Sequence, residues 1–401
     1  MNSNTGKDIL RRSREIFEEL VRIRRELHKI PEPGFEEIKT SRFIAGILQE
    51  WNIPLRQGVA KTGLIASIES GSAKKTVALR ADMDALPVDE QNDIPYRSKH
   101  KGFFHACGHD MHMTCLLGAL AILNERKNDL PVNVRAIFQP AEEKIPGGAL
   151  AVIKDKGLEN PNVEAIFGLH VEPFLPTGCI AVKPGPMMAS TAQFTIRVIG
   201  KGGHAAKPFK CIDPIPIAAQ IVTSLQTITS PEYSGIDPLK PGVITVTRIN
   251  AGTAYNVIPE EATIQGSARS LDESTAEAFP EKIENIVKGI VSAYGADYTF
   301  EYNRGTTVLI NDEKMTKHVQ DVGKKILGSG AVRDYDGTLG GEDFAEYLLH
   351  VPGCFFRLGC ALRGFGIEQV SLHNPKFNPD EHALIYGCAM LAGIIIDFRT
   401  S

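Results

Sequence analysis

The spacing of apolar residues predicts helices and strands that alternate over the first half of the chain. Ile16, Leu20 and Leu27 recur at roughly helical intervals among charged residues, which predicts a helix over residues 6–28; a second amphipathic helix is predicted over 40–53. Short apolar runs typical of buried strands follow at residues 63–70, 76–86, 132–140 and 163–170, with a helical pattern at 114–125. Apolar strands that alternate with helices predict an α/β layer built on a largely parallel sheet.

The pattern changes near residue 186. Residues 192–200 alternate apolar and polar side chains, as a strand with one exposed face does. The elements predicted after them are a helix (214–229), two strands (242–252 and 261–270), a long helix (273–294) and a strand (297–305). This β-α-β-β-α-β order is typical of a ferredoxin-like α+β unit. We therefore expect an α/β domain, a mainly parallel sheet flanked by helices, over residues 1–185 and 306–401, with a smaller inserted domain over 186–305.

Composition excludes several classes of function. Among 401 residues, 43% are hydrophobic and 23% charged, which is ordinary for a globular protein, and the formal net charge of −4 provides no basic surface for nucleic acid or an anionic membrane. No apolar stretch is long enough for a membrane span, and the N-terminal residues do not resemble a secretory signal. The seven cysteines form no CxxC pair, so we expect reduced thiols in a cytoplasmic protein.

The segment HACGHDMH, residues 105–112, concentrates three histidines, a cysteine and an aspartate. Cys107 and His109 lie two positions apart across Gly108, and in an extended segment such side chains point to the same face. This spacing predicts a chelating pair. The alternative is a helix with incidental histidines, and the common helical zinc motif HExxH is absent.

Further metal-binding or acid–base residues follow predicted strands elsewhere. Glu142 and Glu143 come after the strand at 132–140, where one could bind a metal and the other serve as a base. His170 ends the next strand and His373 precedes an Asn-Pro turn. Taken singly, these residues read as a solvated acidic turn, a core histidine and a surface histidine. In combination they indicate one site, because the carboxyl ends of parallel strands meet at one edge of a sheet.

Eight motifs in order along the chain resemble those of the M20 metallopeptidases, specifically the amidohydrolase branch. They are RRELHKIPEPGFEE (24–37), RADMDALP (80–87), HACGHD (105–110), QPAEE (139–143), GLH (168–170), GKGGHAAKP (200–208), GEDF (341–344) and LHNPKF (372–377). The resemblance covers nearly the whole chain. It implies a catalytic domain that binds two divalent metal ions, zinc or manganese with cobalt or nickel as further candidates, and an inserted lid through which the protein forms a homodimer.

The resemblance also assigns roles to individual residues. The implied metal ligands are Cys107, His109, Glu143, His170 and His373. Glu142 is implied as the general base that acts on a metal-bound water, with Asp82 and Asp84 close by. His204 is implied to stabilise the oxyanion, often in the active site of the other subunit, and Asn256 and Arg269 to contact the substrate.

The implied reaction is hydrolysis of the amide bond of a small-molecule substrate, an N-acyl amino acid, to a carboxylate and a free amino acid. Three alternatives within the same fold are a carboxypeptidase, a dipeptidase and an N-acetyl-diaminopimelate deacetylase. Two further alternatives are a metal-binding scaffold without activity and an enzyme that uses Cys107 as a nucleophile. An enzyme that uses Cys107 as a nucleophile would leave Glu143, His170 and His373 without a role.

Overall fold

The computed structural model describes residues 3–71, 73–230, 236–237, 239–240, 242–362, 364 and 368–399. The chain divides into two compact units. The discontinuous unit comprises Met1–Met187, Ile310–Asp336 and Asp343–Ser401, and the inserted unit comprises Met188–Leu309 and Gly337–Glu342. None of the described helices combines the length and the apolar character needed to cross a membrane.

The secondary structure of the described residues is as follows. The strands are Leu55–Val59 (β1), Gly63–Ile68 (β2), Thr76–Asp82 (β3), Asn133–Gln139 (β4), Val163–Pro176 (β5), Ile180–Ala181 (β6), Gly185–Met188 (β7), Ser190–Ile199 (β8), Gly203–His204 (β9), Gly242–Ala251 (β10), Val257–Ile258 (β11), Glu261–Ser270 (β12), Asp297–Arg304 (β13), Leu309–Asn311 (β14), Val332–Arg333 (β15) and Gly353–Ala361 (β16). The α-helices are Ser3–Glu15 (α1), Phe17–His28 (α2), Ile38–Glu50 (α3), His109–Glu125 (α4), Gly148–Lys154 (α5), Pro214–Leu225 (α6), Glu273–Ala293 (α7), Glu313–Ile326 (α8), Phe344–Leu348 (α9) and Ala383–Ile396 (α10).

The discontinuous unit is built on an eight-stranded sheet of order β1-β2-β4-β3-β5-β16-β6-β15. Its centre, β4-β3-β5-β16, is parallel, and its strands are almost wholly buried because helices cover them. Helices α4 and α10 are buried along nearly their whole length, which explains their largely apolar sequences. The fold class predicted from the sequence, an α/β domain with a mainly parallel central sheet and an inserted α+β unit, is confirmed.

The inserted unit contains a four-stranded antiparallel sheet of order β10-β12-β8-β13. Strand β8 buries alternate residues, among them Phe194, Ile196 and Val198, under helices α6 and α7. Counted along the unit, the strands lie in the order 2-3-1-4, which is the ferredoxin-like arrangement that the sequence pattern predicts.

Four details differ from the sequence prediction. The helix over 6–28 is two helices, because Ile16 leaves the helical region at φ −91° and ψ 6°. Helix α4 begins at His109 and not at residue 114, since its first turn is polar and lacks apolar periodicity. Strand β5 does not end at His170 but continues to Pro176, and the predicted strand over 76–86 ends at Asp82.

Candidate metal centre

A left-handed turn brings Cys107 and His109 together. Gly108 has φ +83° and precedes the first residue of α4, so the extended segment predicted from the sequence is wrong. A Cβ at Gly108 would lie 2.5 Å from Cγ2 of Val171, so this turn requires glycine for its space as well as for its backbone angle. The chelating geometry therefore comes from a turn at a helix start and not from strand periodicity.

The thiol of Cys107 lies at the centre of the cluster. Its Sγ is 3.3 Å from Nε2 of His170 and 3.3 Å from Nε2 of His373. Nε2 of His373 lies 3.4 Å from Oε1 of Glu143. Two groups, Cys107–His109–His170 and Cys107–Glu143–His373, each place three ligand atoms within 4.8 Å of one another and share the thiol. The structure thus brings together all five residues that the resemblance implies as ligands.

Backbone hydrogen bonds fix the two consecutive glutamates. The carboxylate of Asp84 accepts the amides of Glu142 and Glu143, each at 3.0 Å. The preceding residue, Ala141, has φ +55°, and its amide donates to Oε1 of Glu37 at 2.8 Å. Because both amides point at one carboxylate, the two side chains start from a fixed backbone, and both reach within 4.8 Å of His109.

The imidazole rings are oriented through their second nitrogens. Nδ1 of His109 lies 2.8 Å from the Asp84 carbonyl oxygen and Nδ1 of His170 lies 2.8 Å from the Val171 carbonyl oxygen. A ring that donates Nδ1–H to a carbonyl presents the lone pair of Nε2 when it is neutral, which is the arrangement of metal-binding histidines. Nε2 of His109 is buried and has no hydrogen-bond partner among the described residues.

Behind the ligands lies a buried polar layer. Asp82 bonds Nδ1 of His112 at 2.6 Å and Nη1 of Arg80 at 2.7 Å, and Arg80 continues to Asp343 at 2.9 Å. Sequence reasoning placed Asp82 near the site but gave no role to Arg80, Asp343 or Glu37. These three residues lie in the motifs RADMDALP, GEDF and PEPGFEE, which the sequence analysis singled out. Their roles were missed because hydrogen bonds such as that from Arg80 to Asp343 join residues far apart in sequence.

The electrostatics of the cluster fit cation binding. Burial alone would lower the pKa of His109, yet Asp82 and Asp84 raise it to about 10. Burial, followed by Glu143 and Glu142, holds the pKa of the Cys107 thiol well above its usual range. Such a thiol is a poor nucleophile without a cation nearby. An acidic cluster of thiol, imidazole and carboxylate donors, with Nε2 of His109 unpartnered, therefore fits divalent metal ions.

The remaining predicted residues lie in the inserted unit. Val257 of β11 pairs with His204 of β9, and the Ala205 amide donates to the Asn256 carbonyl at 3.0 Å, so His204 and Asn256 are neighbours. The Ala206 amide donates to Nδ1 of the exposed His204, which leaves the proton of a neutral ring on Nε2. Arg269 lies on β12, in the larger sheet, where its guanidinium donates to the Leu339 carbonyl at 2.7 Å.

Comparison with known proteins identifies similar chains. The family described as Peptidase family M20/M25/M40 matches residues 78–397. The N-acetyl-L-cysteine deacetylase of Bacillus subtilis (strain 168) is 38% identical over 95% of this chain and 90% of its own. Thermostable carboxypeptidase 2 of Saccharolobus solfataricus is 38% identical over 96% of both chains. The solved Bacillus subtilis YXEP protein, described as a dinuclear metal binding peptidase from the M20 family, superimposes with a TM-score of 0.82 at 36% identity over 96% of this chain and 98% of that one.

Proposed function

The chain belongs to peptidase family M20/M25/M40, a family of metal-dependent hydrolases, and we propose that it cleaves the amide bond of N-acyl amino acids. The products are a carboxylate and a free amino acid. One observation carries the proposal: thiol, imidazole and carboxylate donors from separate segments meet around Cys107, with the Glu142 carboxylate beside them.

In this proposal Cys107, His109, Glu143, His170 and His373 hold two divalent ions. Bound ions of this kind polarise a carbonyl oxygen and make a water molecule more acidic. The thiolate and imidazoles favour zinc or cobalt, and the carboxylate tolerates manganese, with nickel a further candidate. Support for two ions comes from the two ligand groups that share the thiol.

Glu142 is the proposed general base. It removes a proton from the attacking water, whose oxygen forms a bond to the acyl carbon, and it delivers the proton to the amine as the carbon–nitrogen bond breaks. The hydrogen bond from the Glu142 amide to Asp84 supports this role, because it holds the backbone while the carboxylate exchanges its proton.

We propose roles for three residues of the inserted unit. His204 stabilises the oxyanion through its Nε2–H group. Asn256, which lies next to it, contacts the substrate, and Arg269 binds the substrate carboxylate. We also propose a homodimer formed through this unit, in which His204 serves the partner's site. Phe209 and Tyr255 expose 80% and 99% of their surface, which supports such an interface. The free state of all seven cysteines is consistent with a cytoplasmic protein.

A substrate panel tests the proposal and its alternative. The carboxypeptidase relative favours peptide hydrolysis as the second candidate. Amine release is measured from one amino acid that carries an acetyl, benzoyl, indoleacetyl or aminoacyl group, and from N-acetyl-diaminopimelate. Turnover of the acetyl, benzoyl or indoleacetyl compounds supports the proposal and identifies the acyl group. Turnover of the dipeptides alone would replace it with a peptidase, and no turnover by metal-loaded protein would refute it.

A further inference from the structure

The imidazole of His28 lies between two buried carboxylates from different segments. Its Nδ1 is 2.7 Å from Oδ2 of Asp110 and its Nε2 is 3.2 Å from Oε1 of Glu90. The ring is 1% exposed, and Nε of Arg24 also reaches Oδ2 of Asp110, at 2.8 Å. His28, at the end of α2, therefore joins two segments that are distant in sequence.

One of these segments carries Cys107 and His109. Asp110 directly follows His109 in the first turn of α4, and its Oδ1 accepts the amide of Met111 at 2.9 Å. A carboxylate held from both sides in this way cannot rotate without losing buried hydrogen bonds. The bond to His28 thus fixes the start of α4, which carries His109 and directly follows the turn that carries Cys107.

The other segment leads to His373. Nδ2 of Asn92 donates to Oε1 of Glu90 at 3.1 Å and to the carbonyl of Phe377 at 3.0 Å. The neighbouring Gln91 amide donates to the carbonyl of Pro375 at 2.9 Å. Both carbonyls lie just after His373, so Glu90 and Asn92 hold the loop that carries this ligand.

His373 depends on such support more than the other proposed ligands do. Its side chain is 56% exposed and its backbone has φ +66°, an angle that favours glycine. The exposed side chain has little packing of its own, whereas His109 and His170 are buried. The amide of His373 donates to the carbonyl of Ala106 at 2.9 Å, so the backbone of this ligand already rests on the segment that carries Cys107, and the loop after residue 373 is its second support.

We propose that His28 is a positioning residue: through Asp110 on one side and through Glu90 and Asn92 on the other, it sets the distance between the Cys107–His109 turn and His373. The proposal rests on the proposed function, because it concerns the metal ligands named there. His28 acts on binding only through these ligands. Losing a residue that supports a metal ligand typically weakens metal binding by about 10- to 100-fold.

Competition with a chromophoric chelator measures zinc binding by metal-stripped protein in four single variants. His28→Gln keeps a polar side chain that cannot span both carboxylates. Asn92→Ala breaks the same path at a half-buried position. His373→Ala removes the proposed ligand. His318→Gln is the control for loss of a hydrogen-bonding imidazole, since the ring of His318 bonds the backbone carbonyl of Ile394 and supports no proposed ligand.

We expect His28→Gln and Asn92→Ala each to lower the affinity for one of the two zinc ions by about 10- to 100-fold. The zinc affinity of His318→Gln should equal that of the wild type. The double variant of Asn92→Ala with His373→Ala should bind no more weakly than His373→Ala alone, because Asn92 acts through the loop that carries this ligand. Unchanged zinc affinity in both path variants, or full additivity in the double variant, overturns the proposal. Failure of the wild-type protein to bind zinc would instead refute the proposed function, and the inference with it.

Discussion

Substitution of Gly108 by alanine should damage the metal centre by an amount that the structure allows us to work out. The residue has φ +83°, and a side chain in the left-handed region costs about 1–2 kcal/mol. Its Cβ would lie 2.5 Å from Cγ2 of Val171, and overpacking of this kind costs about 1–3 kcal/mol. Together the two effects lower the free energy of unfolding by about 2–5 kcal/mol. Since Val171 follows His170, relief of the overlap also displaces a proposed ligand.

Denaturant unfolding and zinc titration of the Gly108→Ala protein measure the two consequences. The matched control is Gly46→Ala in α3, where an added Cβ meets nothing within 4 Å. Alanine is the better helix former, so the control should be stabilised by up to about 1 kcal/mol with metal affinity unchanged. Equal unfolding free energies and equal zinc affinities for Gly108→Ala and the wild type would refute the reasoning about this turn.

Three further predictions concern separate parts of the chain. Glu142→Gln should lower kcat by about 10²- to 10⁴-fold while both ions stay bound. Kinetics measures the loss of activity, and metal analysis of the same sample would contradict the prediction if the variant had lost its ions. Cys107→Ser replaces a soft donor with a hard one and should weaken zinc more than manganese, so equal losses in paired titrations would argue against thiolate ligation. Asp272 caps α7 by accepting a hydrogen bond from the amide of Thr275. Burial raises the pKa of Asp272, but hydrogen bonds outweigh it and lower the pKa to about 2. The stabilisation by this carboxylate is therefore present above about pH 4 and is lost as the pH falls towards 2. Asp272→Ala should therefore cost about 1 kcal/mol at neutral pH and less in acid, as measured by unfolding at both pH values.

The strands that carry the site were predictable because their sequences obey simple periodicity. Burial on both faces makes β3, β4 and the first half of β5 mainly apolar, and the exposed face of β8 makes its sequence alternate. The rule that parallel strands end at the same edge of a sheet accounts for Glu143, which follows β4, whereas Cys107 lies in the turn before α4.

Features that depend on contacts between distant segments could not be predicted in this way. The start of α4 at His109 was missed because its first turn is polar, and those polar residues serve the site and its buried supports. The bonds from Asp84 to the two glutamate amides join residues about 60 positions apart, and no local pattern marks such a pair. His28 shows the same limit, since a histidine ending an amphipathic helix gives no sign that it lies between two buried carboxylates.

The central claim is that two metal ions held around Cys107 allow Glu142 to drive hydrolysis of an N-acyl amino acid. The most direct measurement titrates metal-stripped wild-type protein with zinc or manganese while bound ions per chain and amine release from an N-acetyl amino acid are followed together. The account predicts two ions per chain, activity that rises as they bind, and two bound ions without turnover in Glu142→Gln. Full activity in the metal-free protein, or turnover by Glu142→Gln equal to that of the wild type, would contradict it.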